Sequence, residues 1–150
     1  MKPEELARWI SEEHQKVHEL ASRLQECVAC IPRARAEKWI SDAREAFEHL
    51  RAHLTKHMSL EENEGYMVPV VERRPGLSRE VDRLAHEHKE FIRLMDMIHH
   101  QLAELRPEDG LLIRDCCHRI RDLLCYVEHH KNEENLMVLS VFNLDIGAGE

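Results

Sequence analysis

Apolar side chains recur at steps of three and four along most of this 150-residue chain, and only five Gly and five Pro interrupt the pattern. Residues at such steps share one side of a 3.6-residue helix, whereas a half-buried strand would alternate every second residue. The chain is therefore read as all-α. The strictest example is Ile40, Ala43, Phe47, Leu50 and Leu54, which continues in phase onto His57 and Glu61. Those two ionisable side chains point where the stripe points, into the protein.

Three further stripes have the same character. The first predicted helix starts near Pro3, a favoured first-turn residue, and carries Leu6, Ile10, Val17, Ala21, Leu24 and Val28, with His14 in the gap. The third opens at Ser78, an expected N-cap, and carries Val81, Leu84, Phe91, Met95, Ile98 and Leu102, with His88 in its gap. The fourth reads Leu112, Cys116, Ile120, Leu123 and Val127, then His130 and Glu134, then Met137 and Val141. The expected helices span residues 3–30, 34–64, 78–105 and 108–139, with a short helical turn at Val68–Val71 in the longest connection. Four amphipathic helices with short connections predict an antiparallel up-down-up-down four-helix bundle, one domain over residues 1–150. The segment Asn143–Glu150 has two glycines and no periodicity and is expected to fray.

Register separates the candidate functional histidines from their neighbours. Stepping back from His129 by three, seven and ten residues meets Tyr126, Asp122 and Arg119; from His130 it meets Val127, Leu123 and Ile120. His130 with Glu134 therefore faces inward, as His57 with Glu61 does, and His129 with Glu133 flanks them. His14 and His88 lie about three turns from the starts of their helices, and His57 and His130 near the ends of theirs. In an antiparallel bundle all four reach one level. Imidazole nitrogens and carboxylate oxygens in this mixture suit iron, manganese or zinc, whereas a calcium site would be all oxygen. Two glutamates from different helices can each bridge two ions, so His14, His57, Glu61, His88, His130 and Glu134 are the expected metal ligands.

Composition narrows the partners. With 21 Lys+Arg against 29 Asp+Glu the formal charge is −8, and no basic cluster follows a phosphate backbone, so nucleic acid is not expected. No stretch approaches a membrane span and Met1–Glu5 contains no apolar leader, so a cytoplasmic protein, monomer or homodimer, is expected. Five cysteines then read as reduced thiols. Cys27, Cys30, Cys116 and Cys117 fall at one level of the bundle, and small buried hydrophobes describe them better than a thiol cluster. Cys125 stands apart.

Taken together, Glu13-His14, His57-Met58-Ser59-Leu60-Glu61-Glu62, Glu87-His88 and His130-Lys131-Asn132-Glu133-Glu134-Asn135 resemble the hemerythrin-like, or HHE cation-binding, family in its bacterial form, over nearly the whole chain. The resemblance implies a hemerythrin-like bundle around a non-haem di-iron centre. Its two iron ions would be bridged by the two glutamates and an oxo or hydroxo group, and would meet dioxygen, peroxide or nitric oxide. The associated roles are oxidative or nitrosative stress and iron handling, or, as the alternative, an oxygen- or iron-sensing module without turnover. Oxygen-carrying members place another histidine four residues after the third-helix ligand, where this chain has Ile92. His18 and His53, each one turn from a candidate ligand, fit either a fifth nitrogen or a supporting neighbour. Tyr66 fits either an approach to the metals or packing in the long connection. Leu136–Phe142 fits either a docking face or core.

Overall fold

The computed structural model describes residues 2–142, so the expected fraying of Asn143–Glu150 lies outside the described residues. Four long helices carry the fold: α1 (Pro3–Val28), α2 (Ala36–Asn63), α4 (Ser78–Glu104) and α5 (Gly110–Phe142). A short α3 (Met67–Arg73) and a 3-10 turn (Pro75–Leu77) lie between α2 and α4. Each of α1 and α4 packs against both α2 and α5, which leaves α1 facing α4, and α2 facing α5, across the core. This is the expected antiparallel four-helix bundle.

Helix ends are set by local chemistry. Arg35 adopts a left-handed conformation (φ 56°), so α2 begins at Ala36 rather than at 34. The last carbonyls of α1, at Val28 and Ala29, accept hydrogen bonds from Arg121, and those at the end of α4, Leu102 and Ala103, from Arg44. These arginines satisfy acceptors that a helix terminus leaves without internal partners. Ser78 is not the N-cap expected of it. Its own backbone is already helical (φ −56°, ψ −38°) because the 3-10 turn runs directly into α4.

The stripes bury as expected, with two shifts on α5. Leu112 is 53% exposed and Ile113 is buried in its place, and Val138 rather than Met137 takes the fully buried position after Glu134. Alternating three- and four-residue steps back from His130 reach Ile113, where the expected stripe broke the alternation once; Val138 lies four residues, about one turn, after Glu134. Val138 and Val141 belong to the core, with Met137 and Phe142 packed against it, while Leu136 and Ser140 are exposed.

Two apolar clusters result. The larger combines the C-terminal half of α1, most of α2, the C-terminal half of α4 and the N-terminal half of α5, with Leu24, Phe47, Leu50 and Ile120 at its centre. The smaller joins Leu6, Ile10, Val81, Leu84, Val138 and Val141 to Tyr66, Met67 and Val70 around α3. Helix α3 is longer than the expected turn, and Pro69 is accommodated in its first turn, where a missing N–H costs nothing. It closes one end of the bundle over a layer of buried polar residues that separates the two clusters.

Candidate metal centre

That layer consists of His14, His57, Glu61, His88, His130 and Glu134, all buried. Each of the four long helices contributes. The pairs His57/Glu61 on α2 and His130/Glu134 on α5 are one helical turn apart, so each pair shares an inward face. His14 and His88 enter from the diagonal helices α1 and α4.

The imidazole Nε2 atoms converge on four carboxylate oxygens. His57 Nε2 lies 3.2 Å from Glu61 Oε2, and His14 Nε2 lies 3.7 Å from that oxygen and 3.3 Å from Glu134 Oε1. On the other side, His88 Nε2 lies 3.3 Å from Glu61 Oε1 and 3.8 Å from Glu134 Oε2, and His130 Nε2 lies 3.3 Å from Glu134 Oε2. Each glutamate thus turns one oxygen to each histidine pair. Two four-residue groups follow, His14/His57/Glu61/Glu134 and Glu61/His88/His130/Glu134, each with donor atoms close enough to surround one ion. The glutamates belong to both.

Outside this ring every histidine has its Nδ1 occupied. His57 faces Glu13 Oε1 at 3.2 Å, His88 faces Glu62 Oε2 at 3.0 Å, and His130 faces Glu87 Oε1 at 2.7 Å. His14 faces the side-chain oxygen of Asn135 at 2.9 Å. An ionised carboxylate only accepts, so each of its histidines carries a proton on Nδ1 and turns Nε2 inward. Three inner atoms, His14 Nε2 and both oxygens of Glu61, have no hydrogen-bond partner although they are buried. Orphaned buried polar atoms of this kind are costly, and a cation among them would satisfy all three.

The chain matches the hemerythrin HHE cation-binding domain model over residues 5–139. The chain belongs to the hemerythrin HHE cation-binding family. No curated protein and no solved structure matches it significantly. As a family member it is a metal-binding helical protein, and its buried His/Glu groups fit a metal centre. None of its described helices is long and apolar enough to cross a membrane.

The electrostatics of this hemerythrin-family site show what the metal-free protein does instead. Burial opposes charge on the histidines, but the facing glutamates outweigh it and raise His14 to about 9 and His88 to about 10. His57 and His130 are raised for the same reason. Burial likewise opposes ionisation of Glu134, yet the close imidazoles of His130, His14 and His88 hold its carboxyl well below the usual range. Protons on imidazole neutralise the glutamates when no metal does.

Of the residues with two readings, Tyr66 reaches the site. Its hydroxyl donates to Glu134 Oε2 at 2.7 Å, and the side chain is fully buried. Burial, with the nearby Glu134 and Glu61 charges, pushes its pKa well above 10, which keeps the hydroxyl a donor. His53 stacks on His57 at 6.4 Å and lies outside both four-residue groups. His18 is exposed, on the wall of a surface groove between α1 and α5. Ile92 is 40% exposed and lines another groove, beside Thr55 and Asp96, so a histidine there would point to solvent. The buried one-turn neighbours of His88 on α4 are Leu84 and Phe91. Cys116 and Cys117 are buried in the larger cluster, with Cys27 packed at its edge, while Cys30 and Cys125 are exposed; all five are free thiols.

The Nδ1 partners Glu13, Glu62, Glu87 and Asn135 had no role assigned from the sequence alone. Glu13 and Glu87 immediately precede a histidine of the site, and Glu62 and Asn135 immediately follow a glutamate. That adjacency is the signal that could have found them.

Proposed function

We propose that His14, His57, Glu61, His88, His130 and Glu134 hold two metal ions, that Glu61 and Glu134 bridge them, and that the resident metal is iron. One observation carries the reading. Four Nε2 atoms, each backed by an Nδ1 partner, face four carboxylate oxygens divided evenly between two groups. A purely structural polar layer has no need for this division, and it would leave Glu61 unsatisfied. Mixed nitrogen and oxygen donors suit iron, with manganese and zinc as competitors that geometry alone does not reject.

Iron held in pairs supplies reversible binding or redox chemistry toward dioxygen, peroxide or nitric oxide, and this is the function proposed. The protein's own residues define what can enter. A cavity of about 10 Å³, room for one water-sized occupant, adjoins the histidines and is walled by Val17, Leu54, Met58, Phe91 and Val127. A space of that size suits a very small molecule. Tyr66 fixes Glu134 from the α3 side and holds a proton there.

The test is metal analysis of freshly purified protein with its visible spectrum, recorded anaerobically and then with dioxygen, peroxide and nitric oxide. Two irons per chain and a spectrum that responds to at least one of the three are expected. The Glu134→Ala variant should lose two-metal loading while staying helical. Undiminished loading in that variant, or a loaded protein inert to all three reagents, would overturn the reading.

A further inference from the structure

The two halves of the chain supply corresponding parts of the site. His88 follows His14 by 74 residues, and His130 and Glu134 follow His57 and Glu61 by 73. The outer partners follow the same spacing, Glu87 matching Glu13, but the correspondence breaks at one place. Where the first half has Glu62, behind His88, the second has Asn135, behind His14. The histidines from α4 and α5 are therefore both backed by carboxylates, at 3.0 and 2.7 Å. Of those from α1 and α2, only His57 is, at the longer distance of 3.2 Å.

The difference has consequences for affinity. A carboxylate fixes the Nδ1 proton and increases the donor strength of Nε2. A neutral amide does less of the second, and, because it can present either its oxygen or its NH₂ group, it does not enforce the first. Partners at this remove typically change metal affinity by about 10–100-fold. Arg83 binds the second oxygen of Glu87, leaving the first for His130, and so steadies that partner. Tyr66 works in the opposite sense by donating to Glu134 Oε2. That oxygen keeps another lone pair, however, and a single hydrogen bond to a shared ligand is a smaller perturbation than a full charge behind an unshared one.

Access differs in the same direction. A polar groove of about 270 Å³ between α1 and α5, bordered by His18, Lys131 and Asn135, has His14 in its lining and none of the other three site histidines.

Building on the dinuclear reading above, we propose that the two metal positions are inequivalent: the His88/His130 position fills first and holds its ion more tightly, and the His14/His57 position, backed by Asn135 and bordered by the groove, is the weaker and exchangeable one. The protein would then exist in stable one-metal and two-metal forms, and could take up or give up its second ion without losing its first.

The experiment is an anaerobic titration of the metal-free full-length chain with Co²⁺, followed by visible absorbance and by competition with a chelator. Two steps separated by about tenfold or more in dissociation constant are expected. His14→Ala should keep the tight step alone, and His88→Ala should lose it. Asn135→Asp, a near-isosteric change, should strengthen the weak step on the order of tenfold, and Glu62→Gln should weaken the tight one. Thermal melts of each metal-free variant check that the bundle is intact. Two equivalents of equal affinity would overturn the inference and leave the dinuclear reading standing, as would an Asn135→Asp variant whose weak step does not move. A tight step that survives His88→Ala and disappears in His14→Ala would reverse the assignment and overturn it too. Uptake of fewer than two equivalents by the unaltered chain would overturn both.

Discussion

The polar layer is held between two apolar clusters built by different means. The larger is an overlay of four long stripes, each residue placed by helical periodicity and covered from several sides. The smaller depends on a connection: Tyr66, Met67 and Val70 come from the segment between α2 and α4 and seal the end of the bundle. Both border the site, the larger by packing alone, through Val17, Leu54, Met58, Phe91 and Val127, and the smaller also by a hydrogen bond, from Tyr66 to Glu134. Gly65 shows how close that seal lies, since a Cβ there would stand 2.7 Å from the Glu61 Cα and 3.1 Å from the Trp9 ring. Apolar packing and polar contact with the site are thus divided between the two ends of the same bundle.

Removing the centre of the larger cluster is the strongest test of that division. Phe47 is fully buried there. Phe47→Ala should destabilise the fold by about 3–5 kcal/mol, read by denaturant unfolding, while the protein that remains folded still takes up its metals. Loss of metal uptake in step with stability would mean that the two ends are not separable.

Proton concentration should act on the polar layer and leave both apolar clusters alone. Histidine in an unfolded chain titrates near 6.5, whereas His14 and His88 in the metal-free fold are raised to about 9 and about 10. Between those limits the folded protein binds more protons than the unfolded one. The stabilisation is complete below about pH 6.5 and is lost as pH rises through the folded values. The melting temperature of the metal-free protein should therefore fall from pH 6.5 to 10. Metal must displace these protons, so loading should release them and weaken as the solution is acidified. A metal-free melting temperature that stays level across the window would show that the histidines do not carry the protons assigned to them.

Tyr66→Phe sharpens the comparison at the sealed end. The ring still fills the smaller cluster, but the hydrogen bond to a buried, ionised carboxylate is gone, at about 1.5–3 kcal/mol. The metal-free protein should lose that much stability, and the visible spectrum of the loaded protein should shift without loss of metal. An unchanged spectrum would place Tyr66 in the packing alone.

Periodicity carries information only where a stripe is long, and that governs how much was legible. His14 and His88 filled gaps in unbroken stripes, and His57, Glu61, His130 and Glu134 extended them, so the structure brings all six together as their phase required. Helix α3 has seven residues, one of them Pro69, too short for any period to register. The approach of Tyr66 to the site was therefore one of two readings, and the fold of the connection decides for it. Glu13, Glu62 and Glu87 sit at the border of their helices' inward faces, where a carboxylate looks like any solvated one. Their importance comes from a histidine on a neighbouring helix, which the spacing within one helix does not encode. Ile92, four residues after His88, is exposed, and Leu84 and Phe91 occupy the buried places on either side of that histidine.

The smallest expected effect falls on the residue that a less careful phasing would have chosen. His129 forms an i,i+4 pair with Glu133 at 3.2 Å and is 78% exposed, and Glu133 is also bound by Arg83. It repeats the local pattern of His130 and Glu134 one residue out of phase, on the solvent side. His129→Ala should change stability by less than about 0.5 kcal/mol and leave two-metal loading intact, because an exposed ion pair is screened and Glu133 keeps its arginine. Chemical denaturation and metal analysis on the same preparation would check both. Loss of even one metal in this variant would mean that α5 presents a different face to the bundle, and with it the inward assignment of His130 and Glu134 would fall.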